Sequence, residues 1–535
     1  MGRRVACAEW RALAVGLGVA ALALSACRGG GETDGDGHHP PPGGAGGGTG
    51  ATSGAGGIGD VTDAGVAATG GTGGGAPQPD AGLAACGPVM PPADGLDPNN
   101  QVNPGPLPGD AHFDFAALLC RGEALRPVMD TRQTNLLEAR YDLSDRPSAV
   151  TMTRGKPIQA GVRVRLPSGL TWDDLDALTP DQIKTDDLFP GGFMPLPHPN
   201  QDEGGMVLPQ SSIDEINRQT ARSLQRFDID FDIPEIFLAE FPPAIFLTTR
   251  PDLGDVSQGQ VLTFANFFEL FKDKLNEKDL NGLRLLLTPF PQQQFNLTDD
   301  RRTVAPSQGI ACLECHINGH TSGATHLVQD SRPEEMRNRV DTPSLRGVNI
   351  QRLFGSQRAL KTVEDFTEFE QSGAYFDGDM ASAEKKGLNM LDRTQQVQPM
   401  AEMQELFDFP PAPKLGVEGT LDPTKATSAE LRGEVVFNGK GQCIKCHPAP
   451  YYTDLTMHDL MVERFFNFRT VNNQIQKPDG PIKTFPLRGI KESPPYFHDG
   501  RLLTLEDTIE FFNLILEDHL TQDEKDDLLA FLLAL

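Results

Sequence analysis

Two short cysteine–histidine motifs carry the most informative chemistry of the chain. The first is Cys312-Leu313-Glu314-Cys315-His316, and the second is Cys443-Ile444-Lys445-Cys446-His447. Two cysteines two residues apart, followed directly by a histidine, form the attachment signature for c-type haem, because each thiol adds to one vinyl group and the imidazole then reaches the iron. A zinc site needs four ligands, typically from paired motifs, and a redox dithiol does not explain a histidine at the same offset twice. The sequence therefore predicts two covalently bound haem c groups, with His316 and His447 as proximal ligands to the haem iron.

Length and charge narrow the class of protein. The chain has 535 residues, enough for two to four domains, and its formal net charge is −27. A strongly acidic protein repels nucleic-acid phosphates, so we expect no nucleic-acid partner. An acidic surface attracts basic redox proteins, but it also simply keeps a protein in solution, and the charge alone does not separate these roles.

The N-terminus predicts export. Three arginines precede an apolar run, Ala12 to Ala23, that is too short to span a bilayer. The run ends in Leu24-Ser25-Ala26-Cys27, which resembles a bacterial lipobox, with residues 1–26 as the signal peptide. That resemblance implies a periplasmic protein held to the membrane by lipidation of Cys27, and Arg28 favours the outer membrane. An ordinary signal peptide with an incidental cysteine is the alternative.

The next two stretches carry no catalytic motif. Residues 27–85 are rich in Gly, Ala, Thr and Asp without apolar periodicity, which predicts a disordered, flexible tether. Cys86 and Cys120 are the thiols left after lipid and haem are assigned, and the sequence leaves open whether they form a disulfide.

Residues 86–300 are predicted to be a mixed α+β region whose role the sequence leaves open. The alternation at 162–166 is typical of a strand. A capped helix is predicted at 171–177 and an amphipathic helix at 211–227. Four phenylalanines between residues 264 and 275 predict a further helix that buries this stripe in the core.

From about residue 301 the chain repeats itself. Leu345-Arg346-Gly347-Val348 matches Leu487-Arg488-Gly489-Ile490 at an offset of 142 residues, and Thr362 matches Thr504 at the same offset. Each threonine has an acidic residue three positions on, as in a helix N-cap. We therefore predict a mainly α fold with two tandem cytochrome c-like haem domains, residues 301–415 and 416–535.

Several segments of these units resemble the di-haem bacterial cytochrome c peroxidase superfamily, which includes the enzyme that matures methylamine dehydrogenase. The segments are Val436-Phe437-Asn438-Gly439, Tyr452-Thr453-Asp454, Pro486-Leu487-Arg488-Gly489-Ile490 and Pro495-Tyr496-Phe497-His498-Asp499-Gly500, with Asp341-Thr342-Pro343-Ser344-Leu345 in the first unit. The resemblance implies a peroxidase-like oxidoreductase that reduces hydrogen peroxide with electrons passed through a second haem. It also implies a small redox protein as electron donor and, as in many members, a calcium ion between the domains.

The resemblance implies further site residues, and some depart from the pattern. The family's second axial ligand of the C-terminal haem, a Met or Tyr, falls on Phe512, which cannot bind iron; Met457, His458, Met461 and His498 are the nearby donors. The equivalent residue of the first unit is Glu370, with His320 and His326 as candidate ligands. The aromatic bridge between the haems is missing, and Phe354 is the nearest substitute.

A proton-transfer group is also implied by the resemblance. Peroxide cleavage needs an acid–base residue, and Gln398-Pro399-Met400-Ala401-Glu402-Met403 resembles the family segment that supplies it. Glu402 is therefore the candidate catalytic residue, against the alternative of a solvated surface glutamate.

Two other functions stay open. The missing ligand and bridge favour a di-haem electron-transfer cytochrome without its own substrate. The large region before residue 301 favours peroxide- or oxygen-dependent oxidation of an organic or protein substrate. The sequence leaves open the substrate, the electron donor and the oligomeric state.

Overall fold

The computed structural model describes residues 131, 134–196, 206–219, 233–289, 310–327, 339–370, 392–471, 474–475 and 479–535. The described part is mostly helical with little sheet. Its helices are α1 (Trp172–Asp176), α2 (Pro180–Thr185), α3 (Gln210–Gln219), α4 (Phe267–Phe271), α5 (Glu277–Leu286), α6 (Cys312–Cys315), α7 (Val363–Phe369), α8 (Gln398–Glu405), α9 (Ser428–Asn438), α10 (Leu505–Leu516) and α11 (Gln522–Ala534). The predicted signal, tether, lipidation site at Cys27 and thiols of Cys86 and Cys120 lie outside these ranges.

The strands are short and pair antiparallel. They are β1 (Pro147–Thr151), β2 (Pro157–Gln159), β3 (Met206–Val207), β4 (Thr325–Leu327), β5 (Arg339–Asp341), β6 (Met457–His458), β7 (Thr470–Val471), β8 (Gln474–Ile475) and β9 (Ile482–Lys483). The pairings are β1 with β2, β3 with β4 with β5, β6 with β9, and β7 with β8. Among the described residues, no helix is both long and apolar enough to cross a bilayer.

Two hydrophobic cores organise the described residues, and each core surrounds one haem motif. The first-unit core joins residues 245–287 to residues 313–407. The second-unit core joins residues 137–238 to residues 421–535. The region before residue 301 is therefore divided between the two cores, because its apolar side chains are buried against different haem units.

A glycine-mediated helix crossing occurs in both units. Gly282 of α5 lies against α8, where an added β-carbon would stand 1.9 Å from the carbonyl oxygen of Pro399. Gly433 of α9 lies against α11, where an added β-carbon would stand 1.9 Å from the carbonyl oxygen of Asp527. In each unit, a helix before the haem motif thus crosses the last helix of the unit at a distance that only glycine permits.

Replacing Gly433 with alanine is expected to lower the free energy of unfolding by about 2 kcal/mol. Overpacking costs about 1–3 kcal/mol, and the gain in helix propensity of up to about 1 kcal/mol offsets only part of it, since the nearest atom belongs to a rigid backbone. Denaturant unfolding measures the change. Gly416→Ala is the matched control, because its nearest contact lies at 3.6 Å. Equal stabilities of the two variants would contradict the crossing.

The predicted repeat is also visible in turns and caps. Gly347 and Gly489 both have left-handed backbone angles, with φ of 76° and 69°. Residues 354 and 360 form a bridge that matches the bridge between residues 496 and 502 at the same offset of 142. The hydroxyls of Thr362 and Thr504 accept hydrogen bonds from the backbone amides three residues on, as predicted for N-caps.

The cap of α10 also binds the segment at 161–164. The carboxylate of Asp507 accepts hydrogen bonds from the amides of Arg163 (2.6 Å) and Val164 (3.0 Å), and Thr504 donates to the carbonyl of Gly161 (3.0 Å). The strand predicted at 162–166 is therefore wrong: only Val164 forms an isolated bridge, with Tyr141, because side chains of α10 take the amides that a neighbouring strand would use.

The other local predictions before residue 301 were mostly confirmed. Thr171 caps α1 through a complete capping box, and α3 occupies the described part of the amphipathic segment. The prediction that all four phenylalanines of the stripe are buried was only half right. Phe267 and Phe271 are buried in α4, but Phe264 and Phe268 are 55% and 51% exposed.

Candidate haem-attachment sites

The first motif forms α6 and the turn after it. Cys312 and Cys315 are thiols rather than disulfides, and Glu314 accepts a hydrogen bond from the amide of Ala311 (2.9 Å) that closes the first turn. The ring Nδ1 of His316 lies 2.8 Å from the carbonyl oxygen of Pro343. A carbonyl can only accept, so Nδ1 carries the proton and Nε2 keeps the lone pair that a metal requires.

A buried asparagine holds the chain just after His316. Asn318 is 2% exposed and has a left-handed φ of 54°. Its side chain accepts from the amide of Leu262 (2.8 Å) and donates to the carbonyls of Pro243 (2.8 Å) and Gln260 (2.9 Å). The 243–262 loop therefore fixes where the first motif ends. Sequence reasoning missed this role, although an Asn-Gly pair is a known signal for a left-handed turn.

The second motif is held by a more local contact. Nδ1 of His447 lies 2.7 Å from the carbonyl oxygen of Tyr452, only five residues away. The hydroxyl of Tyr452 in turn donates to the carbonyl of Gly419 (2.6 Å), and the amide of Asp454 donates to the carbonyl of Cys446 (2.9 Å). Each histidine thus donates an orienting hydrogen bond to a backbone carbonyl, but the two carbonyls come from different parts of their units.

Burial keeps both imidazoles neutral. It lowers the pKa of His316 to about 4, against the opposing effect of the Pro343 hydrogen bond, and it lowers the pKa of His447 as well. Burial also raises the pKa of the Cys443 thiol to about 12 and raises that of Cys315. Neutral imidazole is the form that binds a metal, so the ligand group is available throughout the physiological pH range.

The residues present fit a haem group at each motif. Both pairs of thiols are reduced. In each motif the following histidine donates from Nδ1 to a carbonyl, which leaves Nε2 available to bind iron. At the second motif, Ile444, Tyr451 and Phe485 are large apolar residues that are 36–40% exposed, and they could pack on a hydrophobic macrocycle. Within the described residues, no group of three or more His, Cys, Asp or Glu is arranged to hold a metal ion.

The candidate second ligands are mostly engaged elsewhere. His320 is buried, with Nδ1 2.7 Å from the hydroxyl of Ser344 and Nε2 2.7 Å from the carbonyl of Glu492. To reach an iron, His320 would have to break both hydrogen bonds. The side chain of His326, in β4, lies outside the described residues, and Glu370 is the residue that ends α7.

The candidate residues of the second unit lie in several different surroundings. Phe512 packs on the second-unit core beside Phe511 and Phe497, at ring distances of 5.4 and 6.3 Å. His458 contacts Asp454 (2.7 Å), and Met461 is 50% exposed. Two further donors remain: Met457 lies in β6, and the largely buried His498 lies 3.8 Å from Asp479.

The predicted acid–base residue lies on a partly exposed helix face. Glu402 of α8 forms an ion pair with Lys278 of α5, and their side chains are 45% and 46% exposed. Buried Gln404, two positions on, donates to the hydroxyl of Thr367 in α7 (2.8 Å). The contacts of Glu402 are those of a surface ion pair, so its catalytic role stays a prediction from the resemblance.

A buried ion pair joins the two units close to His316. Arg346 and Glu492 are each 4% exposed in their side chains and lie 2.8 Å apart. Arg346 also donates to the carbonyl of Ala244 (2.7 Å), and the amide of Thr153 donates to Glu492 (3.0 Å). Together with the bond from His320 to the Glu492 backbone, these contacts connect both haem units and both parts of the preceding region. Sequence reasoning found the Leu-Arg-Gly turn but not this partner.

Comparisons with known proteins give a consistent set of relatives. No family model matches the chain. The chain is 26% identical over 157 residues to the cytochrome-c peroxidase IdrP1 of Pseudomonas sp. (strain SCT), covering 21% of this chain and 41% of that protein. It is 31% identical over 120 residues to the cytochrome c551 peroxidase of Nitrosomonas europaea, covering 21% and 35%. It is 28% identical over 129 residues to the methylamine utilization protein MauG of Methylophilus methylotrophus, covering 21% and 38%.

Two solved structures were also compared. Kuenenia stuttgartiensis hydrazine synthase shares 22% identity, covering 52% of this chain and 93% of that one, with a TM-score of 0.32. A MauG-like protein associated with microbial copper homeostasis shares 20% identity, covering 49% and 88%, with a TM-score of 0.33. These scores do not establish a shared fold.

The sequence relatives confirm the predicted resemblance. They are named for c-type cytochrome peroxidases and for MauG, which are enzymes of the di-haem peroxidase type. The chain spans about two fifths of the length of the curated relatives it matches. Over about a fifth of its own length, this chain is therefore similar to the di-haem cytochrome c peroxidase superfamily.

Proposed function

We propose that this chain is a c-type di-haem oxidoreductase that reduces hydrogen peroxide with electrons taken from a small redox protein. The observation that carries the proposal is the pair of Cys-x-x-Cys-His turns, each with reduced thiols and a half-buried histidine whose Nδ1 is held by a carbonyl. Relatives that match about a fifth of the chain bear peroxidase names, which supports the reaction class.

The residues would divide the work as follows. Cys312, Cys315, Cys443 and Cys446 would attach the haem groups, and His316 and His447 would hold the iron atoms. Bound haem would supply the one-electron chemistry and the site where peroxide reacts. The carbonyls that fix the two imidazoles would orient these ligands and raise their basicity. Glu402 would move a proton between the two peroxide oxygens.

We also propose that the units are two tandem cytochrome c-like domains in an exported, membrane-tethered protein. The duplicated helix crossing, left-handed glycine and capped helix support the tandem arrangement. The export signal and Cys27 support the location, which accords with haem c attachment outside the cytoplasm.

Absorption and EPR spectra of the purified holo-protein, before and after stoichiometric hydrogen peroxide, test the proposed reaction. We expect a high-spin haem signal that is lost within seconds as peroxide is consumed. Two low-spin haems that do not respond to peroxide, in both the oxidised and half-reduced states, would instead identify an electron-transfer cytochrome.

The same assay tests the acid–base residue. The resemblance predicts that Glu402→Gln slows peroxide reduction by about 10²–10⁴-fold while both haems stay attached. Lys278→Met is the matched control, because it removes the same surface ion pair without touching the carboxylate. An unchanged rate in Glu402→Gln would contradict the catalytic role of Glu402 and leave the surface ion pair as its assigned role.

A further inference from the structure

Lys483 is a buried cation at the junction of the two units. Its side chain lies in β9, the residue is 4% exposed, and Nζ stands 5.5 Å from the ring centre of Phe354 and 5.4 Å from that of Phe485. Among the described residues, no carboxylate pairs with this ammonium group. Burial, and then the charge of Arg358, lower the pKa of Lys483 to about 8, so the group is still mostly protonated at neutral pH.

Arg358 is a second, half-buried cation, and its charge acts on Lys483. Its Nε is buried and has no hydrogen-bond partner within the described part of the chain. Two like charges repel, and desolvating a charge without a partner is costly. By contrast, the buried cations Arg346 and Lys525 pair with Glu492 and Glu510, and the buried Arg140 and Arg163 donate to backbone carbonyls. Lys483 and Arg358 are therefore a cation pair that lacks its anion.

Backbone contacts place this cation pair beside the second haem motif. The amide of Lys483 donates to the carbonyl of Ser356 (2.9 Å), which joins β9 to the first unit. The hydroxyl of Thr453 donates to the carbonyl of Thr484 (2.8 Å), and β9 pairs with β6. Thr453 directly follows Tyr452, whose carbonyl orients His447. Lys483 therefore lies next to the backbone that supports the second motif, where the first unit contacts it.

We propose that Lys483 and Arg358 bind a carboxylate of the haem c attached at Cys443 and Cys446. This inference rests on the proposed function, because it requires haem at the second motif. Haem carries two propionate groups, and a propionate turned toward the protein needs cationic partners of this kind. An arginine fork and a lysine point charge are complementary partners for one carboxylate.

The assignment also gives Phe354 a different role from the one the sequence suggested. Instead of bridging two haems, its ring covers the ammonium group of Lys483 and shields it from water, as in a cation–π contact. Shielding lowers the local dielectric and strengthens the attraction between the ammonium and its carboxylate.

Redox titration of holo-protein followed by absorbance tests this assignment. Lys483→Met keeps the length of the side chain but removes a positive charge near the second haem, so adding an electron there becomes less favourable. At the wild-type midpoint potential we expect the ratio of reduced to oxidised haem to fall about tenfold, which equals about 59 mV for a one-electron couple. The midpoint potential of only one of the two haems should shift. Lys483→Arg keeps the positive charge, so its potential should be close to that of the wild type.

Controls separate this inference from the function on which it rests. Intact mass must first show two attached haems, because their absence would refute the proposed function rather than the cation pair. Lys425→Met is the matched control, since Lys425 is 54% exposed and pairs with Asp422; we expect no shift. If Lys483→Met does not fold, Arg358→Gln tests the same pair with the same expected direction.

Two results would overturn the inference. Unchanged potentials of both haems in Lys483→Met and Arg358→Gln would show that no haem carboxylate lies near this pair. A wild-type potential that changes with acetate or chloride concentration, and loses this dependence in Lys483→Met, would show that a soluble anion occupies the site. A potential insensitive to these anions agrees with a covalently delivered carboxylate.

Discussion

Replacing Cys312 and Cys315 together by serine is expected to halve the covalently bound haem of the purified protein. Serine hydroxyls do not add to haem vinyl groups, whereas the second motif stays intact in its own core. The reciprocal Cys443→Ser and Cys446→Ser pair should remove the other half. Haem-to-protein stoichiometry and intact mass measure both results.

A cysteine control makes this experiment specific. Cys86 and Cys120 are outside both motifs, so changing them to serine should leave two haems attached. If either pair of motif variants kept two covalent haems, the assignment of that motif would be wrong. If all variants and the wild type carried zinc instead, the tetrahedral-site alternative would replace it.

Replacing Arg346 with methionine is expected to lower the free energy of unfolding by about 3–5 kcal/mol. Removing one partner of a buried ion pair leaves the other charge without compensation, and Glu492 is 4% exposed in its side chain. The carbonyl of Ala244 would lose a hydrogen-bond donor at the same time. Denaturant unfolding of the holo-protein, followed by far-UV circular dichroism, measures the loss.

Two further variants identify the cause of that loss. Arg346→Met combined with Glu492→Gln removes the orphaned charge while the amide oxygen still accepts from Thr153, so part of the stability should return. Arg432→Met breaks an ion pair with Asp527 in which the arginine is 62% exposed, and it should cost less than about 1 kcal/mol. Equal losses in Arg346→Met and Arg432→Met would contradict a special role for the buried pair.

Local features of the fold were readable in the sequence because their causes are local. Thr362 and Thr504 were predicted as N-caps from an acidic residue three positions on, and the hydrogen bonds are present. A capped helix was also predicted at 171–177, and Thr171 caps α1. A cap needs only the side chain and the next turn of backbone, so four residues contain the whole signal.

Features that depend on distant partners were not readable. The alternation at 162–166 predicts a strand, but the amides of Arg163 and Val164 bind Asp507, more than 340 residues away. Phe264 and Phe268 fit the same helical stripe as Phe267 and Phe271, yet nothing in the stripe shows that the core contacts only two of them. Tertiary packing decides which surface a segment lies against. The residues of the segment alone do not show this surface.

The candidate site divides in the same way. The attachment residues follow from a five-residue motif. The carbonyls of Pro343 and Tyr452 that orient the two histidines come from different positions in the two units, so no motif predicts them. Lys483 and Arg358 also come from separate units, and only their proximity reveals a shared role.

The helix crossing at Gly282 bears on where the first unit begins. Because α5 crosses α8 as α9 crosses α11, we propose that the first cytochrome c-like unit begins near Glu277, within the region that the sequence assigned to residues 86–300. The segment between helix and haem motif is then about twenty residues longer in the first unit than in the second.

The binding of the 161–164 segment to the cap of α10 has a consequence for modularity. The matching cap of α7 in the first unit instead pairs Asp365 with Arg393, a residue of its own unit. A gene fragment that encodes residues 416–535 alone would leave Asp507 without the amides of Arg163 and Val164, and it would uncover the side of α10 where Phe511 contacts Phe193. The second half is therefore a domain that is discontinuous in sequence. Residues 137–238 must be transferred together with residues 416–535, both in evolutionary recombination and in domain transplantation in the laboratory.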